Sequence, residues 1–76
     1  MFSFFGLGKD RSKFGKWLDR RGISQKWVED NAKVSKGTVS RLCSESDAKP
    51  NGSTANKILK ALKKVGHSVD YDDFWM

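Results

Sequence analysis

Within six positions, Lys36, Gly37, Thr38, Ser40 and Arg41 gather two cations, two hydroxyls and a glycine, with no carboxylate among them. Such a set suits close contact with a base-edge surface. Arg and Lys donate to guanine O6 and N7, Thr can touch a thymine methyl, and small residues let a backbone come near. The bland alternative for Lys36 and Arg41 is a solvated helix face. Other chemistry is poorly supplied. A single His (His67) and a single Cys (Cys43) leave no material for a zinc finger, a Cys–His pair or an intramolecular disulfide. No base stands paired with a nucleophile, and neither metal-ligand spacing nor a phosphate loop occurs. An enzyme is therefore not expected, and no cofactor or metal is expected either.

The charge points the same way. The chain of 76 residues carries 15 Lys and Arg against 9 Asp and Glu, a net charge of +6. The imbalance is concentrated in residues 1–67, which carry +9, while residues 68–76 carry −3 through Asp70, Asp72 and Asp73. A body this basic favours a phosphate-rich partner. The length allows one domain with a limited core. No apolar run approaches the roughly 20 residues that a membrane span needs, and no membrane partner is expected.

Positioning the basic set falls to helices. Residues 1–9 are apolar and Gly-punctuated, and residues 10–76 read as a single all-α domain of four helices and a terminal turn. Asp10 is a candidate cap for a first helix over about 11–21, with Phe14, Trp17 and Leu18 as its buried stripe. Gly22 stands where a left-handed terminating residue belongs. Ser24 caps a short helix over 25–32, with Val28 and Ala32 inward. Ser35 caps the next, over 36–44, with Val39 and Leu42 inward. The segment Glu45–Gly52 is loop chemistry. Ser53 is the candidate cap for a helix over 54–65 with Ala55, Ile58, Leu62 and Val65 on one face, closed by Gly66. Asp70 opens a last turn over 70–75.

The segment Ser24–Leu42 has a more particular pattern. An N-cap and Gln25 are followed by Val28, a small residue (Ala32) before a tight link, Val34, a second N-cap, and then Val39 and Leu42. This spacing packs two short helices at a steep angle and leaves the front of the second one polar. Here the sequence resembles the lambda-repressor-like, Cro/cI-type (XRE) helix-turn-helix family, from Phe14 through about Trp75. Gly22-Ile23-Ser24-Gln25 is similar to its G-L-S-Q signature, and Val34-Ser35 with Thr38-Val39-Ser40-Arg41-Leu42 is similar to its V-S…T-I-S-R-I run. Pro50, Thr54, Ile58, Ala61 and Leu62 match its trailing helix, and Ser68…Asp72-Asp73-Phe74 its closing turn.

The resemblance implies a compact four- to five-helix DNA-binding domain whose helices 2 and 3 form the helix-turn-helix. It implies base contacts from Lys36, Gly37, Ser40 and Arg41. Phosphate contacts would come from Gln25, Ser35, Thr38, Ser44 and Lys49, with Lys26, Arg11 and Lys13 in support. The sequence departs from the family at Glu29, where Ala is usual, and at Lys33, where Gly is frequent and a left-handed Lys would cost about 1–2 kcal/mol. It also places Leu18 and Cys43 where the family often pairs Arg with Glu; an apolar contact between the two is the expected replacement.

Six of the nine aromatic residues cluster at the ends: Phe2, Phe4, Phe5, Tyr71, Phe74 and Trp75. They either pack on the domain or form an apolar patch that dimerises or holds a protein partner. The expected function is a cytoplasmic, nucleoid-associated transcriptional regulator that binds double-stranded DNA sequence-specifically, as short phage, prophage or mobile-element repressors do. The rival is a protein-interaction module, an anti-repressor or adaptor, that binds another regulator through the aromatic ends.

Overall fold

A computed structural model describes residues 11–75, and these form five helices and no strand. The helices are α1 (Lys13–Arg21), α2 (Gln25–Ala32), α3 (Lys36–Ser44), α4 (Gly52–Lys64) and α5 (Tyr71–Trp75). Asp10 and the apolar segment with Phe2, Phe4 and Phe5 lie outside the described residues.

Each helix begins where a short polar side chain can satisfy otherwise unpaired backbone N–H groups. Ser24 accepts from Trp27 N at 3.0 Å and Ser35 from Thr38 N at 3.3 Å, at the positions expected from sequence. Two starts differ. Ser12 caps α1, accepting from Gly15 N at 3.0 Å, so the helix begins at Lys13 and not at 11. Asn51, not Ser53, caps α4, its Oδ1 accepting from Thr54 N at 2.9 Å and drawing Gly52 and Ser53 into the first turn. At α5 the helix begins at Tyr71, and the Asp73 carboxylate accepts from Asp70 N at 2.7 Å, so the cap reaches back from inside the helix.

The endings follow the backbone. Gly22 is left-handed at φ 67°, and Ile23 N donates to Leu18 O at 3.0 Å, closing α1 as a Schellman turn. Lys33 closes α2 in the same left-handed region at φ 57°, the one non-glycine residue of positive φ among the described residues. Val65 stands at the terminal position of α4 with non-helical backbone and is 55% exposed. The α4 stripe therefore ends at Leu62: Ala55, Ile58, Leu59, Ala61 and Leu62 are buried, and Val65 does not continue them.

The core draws on every helix. Phe14, Leu18, Val28, Val39, Cys43, Ile58 and Leu62 are its largest fully buried side chains. Helix α3 packs on α1 and α2, α4 covers α2, and α5 lies against α1. Leu18 and Cys43 both lie inside this core. Phe74 and Trp75, read from sequence as a candidate partner surface, are instead 5% and 3% exposed. Their rings sit 5.1 and 5.3 Å from Phe14, and Phe74 also meets Trp17 at 5.3 Å. Burying two large aromatic rings against α1 adds apolar area that these short helices otherwise lack. Tyr71 remains half-buried at its edge, 5.4 Å from Trp75.

Candidate nucleic-acid interface

Helix α3 has a buried side and a bare side. Val39, Leu42 and Cys43 are buried, while Lys36, Gly37, Ser40, Arg41 and Ser44 are exposed. This division follows from the helical period: residues 39, 42 and 43 share one face, and residues 36, 37, 40, 41 and 44 turn away from it. All four expected base-contact residues thus lie on one solvent-facing strip. Gly37 has no internal reason to be small, since a Cβ placed there meets nothing within 4 Å. What its missing side chain leaves open is access from outside.

Two contacts fix how α3 is held, and sequence reasoning missed both. Gly15 of α1 lies directly under the last turn of α3. A Cβ at Gly15 would run into the Cys43 carbonyl oxygen and come within 3.1 Å of its carbon, so only glycine permits this helix approach. Ser12 is the second. Its hydroxyl donates to Leu42 O at 2.6 Å, with Cys43 O at 3.1 Å, and its backbone N donates to Cys43 O at 3.0 Å. Carbonyls left unpaired at the C-terminus of α3 are thereby satisfied by the residue that caps α1. The available signal was a Ser three residues before a Gly at the start of an amphipathic helix, too common to single out.

The N-terminal end of α3 is capped by a hydroxyl. Ser35 Oγ accepts from Thr38 N and donates to Thr38 Oγ1 at 2.9 Å, leaving the Thr38 hydroxyl proton free to donate outward. Ser44 Oγ donates to Ser40 O at 2.9 Å, a bond made within the helix. At the front of α2, Gln25 is half-buried, and Lys26 forms an exposed pair with Asp30 at 3.5 Å.

The flanking cations sort themselves by position. Lys49, in the loop after α3, shares one groove with Thr38 and Arg41 and a second with Arg11, Lys13 and Lys16. It thus joins the α3 strip to the start of α1. Among the described residues, neither Lys36 nor Lys49 is in an ion pair; Arg11 is, its Nε lying 2.9 Å from Asp19 Oδ2. Arg41 is paired with Glu45, Nε to Oε1 at 3.3 Å, with both side chains more than half exposed. Exposed pairs of this i,i+4 kind contribute about 0.3–0.5 kcal/mol, and this one engages Nε of the Arg41 guanidinium.

Cys43 takes no part in the exposed face. Burial pushes its thiol up to about 11, against a partial lowering by the Arg11 guanidinium, and the Asp19 carboxylate adds to the rise. Among the described residues no group of His, Cys, Asp or Glu is arranged to hold a metal ion, and no helix is long and apolar enough to cross a membrane.

The arrangement matches comparisons with known proteins in one respect. A family model described as helix-turn-helix matches residues 15–68, the stretch that contains α2, α3, α4 and all but the first residues of α1. No curated protein and no solved structure matches the chain.

Proposed function

Because the chain belongs to the Cro/cI-type helix-turn-helix family of DNA-binding transcription regulators, we propose that it acts as a sequence-specific repressor of the phage or mobile-element kind and lays α3 in the major groove of duplex DNA. The single observation behind this is the exposed strip of Lys36, Gly37, Ser40 and Arg41 on a helix whose other side is fully buried. Arg41 reads a guanine through its terminal nitrogens, and Lys36 and Ser40 contact neighbouring base edges. Gly37 allows the α3 backbone to approach. Thr38, Ser35, Ser44 and Lys49 contact phosphates beside the groove, and Gln25, with Lys26, does so from the positive N-terminus of α2. Arg11 and Lys13 extend the phosphate track past Lys49.

The rival interaction module rested on exposed aromatic ends. Phe74 and Trp75 are core residues, so of the C-terminal aromatic group Tyr71 is the member left partly exposed.

The test compares a preferred duplex, selected from a random pool by the protein itself, with an unselected one. Arg41→Ala should cost about 1–3 kcal/mol on the preferred duplex and erase most of the preference, whereas Lys49→Ala should weaken both duplexes alike. Equal losses from the two substitutions on both duplexes would remove Arg41 from base reading.

A further inference from the structure

Helix α3 carries no carboxylate, yet one stands at its end. Glu45 is the C-cap residue, with extended backbone at φ −99° and ψ 114°, and its backbone N–H donates to Arg41 O at 2.9 Å. Its side chain returns to the same residue, Oε1 lying 3.3 Å from Arg41 Nε. Glu45 is therefore tied to Arg41 twice, through backbone and side chain. Electrostatically the site is a poor one for an acid. A carboxylate at a helix C-terminus opposes the helix dipole, and one beside a DNA-facing strip repels phosphate.

The geometry offers a compensating role. A guanidinium has five N–H donors in a fixed fork. Glu45 engages Nε, on the side edge, and leaves both terminal nitrogens free. Those two are the pair that meets guanine O6 and N7 end-on. An Arg that is 69% exposed at its side chain otherwise samples many rotamers, and ordering it on binding is unfavourable.

We propose that Glu45 is a specificity-determining positioning residue: it holds the Arg41 fork in its reading orientation and, by its charge, lowers attachment to DNA at large. The proposal rests on the reading of Arg41 as a base contact. Glu45 weakens binding to every duplex through repulsion but weakens the preferred one less, because there it pre-orders the fork. Its contribution is the ratio between the two affinities.

The test measures affinity for the selected and unselected duplexes at one fixed salt concentration with wild type, Glu45→Gln and Glu45→Ala, each also in the Arg41→Ala background. The Gln amide oxygen still accepts from Nε, so Glu45→Gln should tighten both duplexes and largely keep their ratio. Glu45→Ala should tighten the unselected duplex while lowering the ratio about threefold, a size in keeping with an exposed pair. With Arg41→Ala present, the Ala and Gln variants should have the same ratio. An unchanged ratio in Glu45→Ala would overturn the proposal and leave Glu45 as a repulsive charge only. If wild type prefers no duplex at all, base reading by Arg41 falls first and the proposal falls with it. A circular-dichroism melt of each variant, expected to differ little from wild type, ensures that the ratios compare folded chains.

Discussion

Ser12 Oγ donates to the Leu42 carbonyl at 2.6 Å, so the residue that starts α1 also closes α3. The consequence is mechanical. The helix that presents Lys36 and Arg41 is fixed at its C-terminal end to the first helix of the bundle, while Ser35 caps its N-terminal end locally through Thr38. Replacing Ser12 by Ala leaves Gly15 N without its cap and the Leu42 carbonyl without its closest donor, in a residue only 3% exposed. The expected loss is about 2 kcal/mol in a urea denaturation, against about 1 kcal/mol for Asn51→Ala at the exposed cap of α4. Equal losses at the two sites would mean that the bond to α3 contributes nothing.

Gly15 and Gly37 are both helical glycines, and they should respond oppositely to Ala. By helix propensity alone each substitution gains about 1 kcal/mol. At Gly37 the gain should appear in full, because the new methyl meets nothing, while affinity for duplex DNA falls. At Gly15 the methyl collides with the Cys43 backbone, and the net outcome should be a loss of about 1–3 kcal/mol. Thermal melts of the two variants decide this directly.

Lys33 holds a left-handed conformation at φ 57° and ψ 51° between α2 and α3. A residue with a Cβ is disfavoured there by about 1–2 kcal/mol, and Gly is not. Lys33→Gly should therefore raise stability by about 1 kcal/mol despite the entropy that Gly adds to the unfolded chain. A fall in melting temperature would show that the Lys33 side chain contributes more than its backbone strain removes.

The Cys43 thiol ionises near 9.0 when unfolded and near 11 when buried. Both states hold the proton below pH 9, so the residue adds no pH dependence there. Between about pH 9 and 11 the unfolded chain releases its proton and the folded one keeps it, so stability falls as pH rises. The stability advantage of wild type over Cys43→Ala should thus shrink between pH 8 and pH 10.5 in urea denaturations. At pH 8 the native thiol should resist aromatic disulfide reagents and react once urea exposes it.

Much of this was legible in the residues themselves. Ser24, Ser35 and Gly22 mark helix ends through local chemistry, and the structure places them at those ends. The polar face of α3 followed from the period of Val39 and Leu42. What was not legible depends on contacts between distant elements or on a choice between equal local signals. Ser12 and Asp10 are both good caps, and Ser12 is singled out by its bond to α3, thirty residues away. Asn51 and Ser53 offer the same cap chemistry two residues apart. Val65 fits the stripe of Ile58 and Leu62, but the helix ends beneath it and turns it outward. For Phe74 and Trp75, composition gives two large aromatic rings and says nothing of which side of Phe14 they occupy. The Arg41–Glu45 spacing was open to view in the sequence, but its meaning depends on Glu45 standing at a helix end.

The central claim is that the bare face of α3 binds duplex DNA, and a salt titration tests it most directly. Binding should weaken linearly in log K against log salt, with a slope that counts the phosphates neutralised at about 0.9 per contact, and should be tighter on the selected duplex than on a random one at every salt concentration. Steep salt dependence with no difference between the duplexes would contradict sequence reading by α3. No binding at moderate salt would contradict the account as a whole.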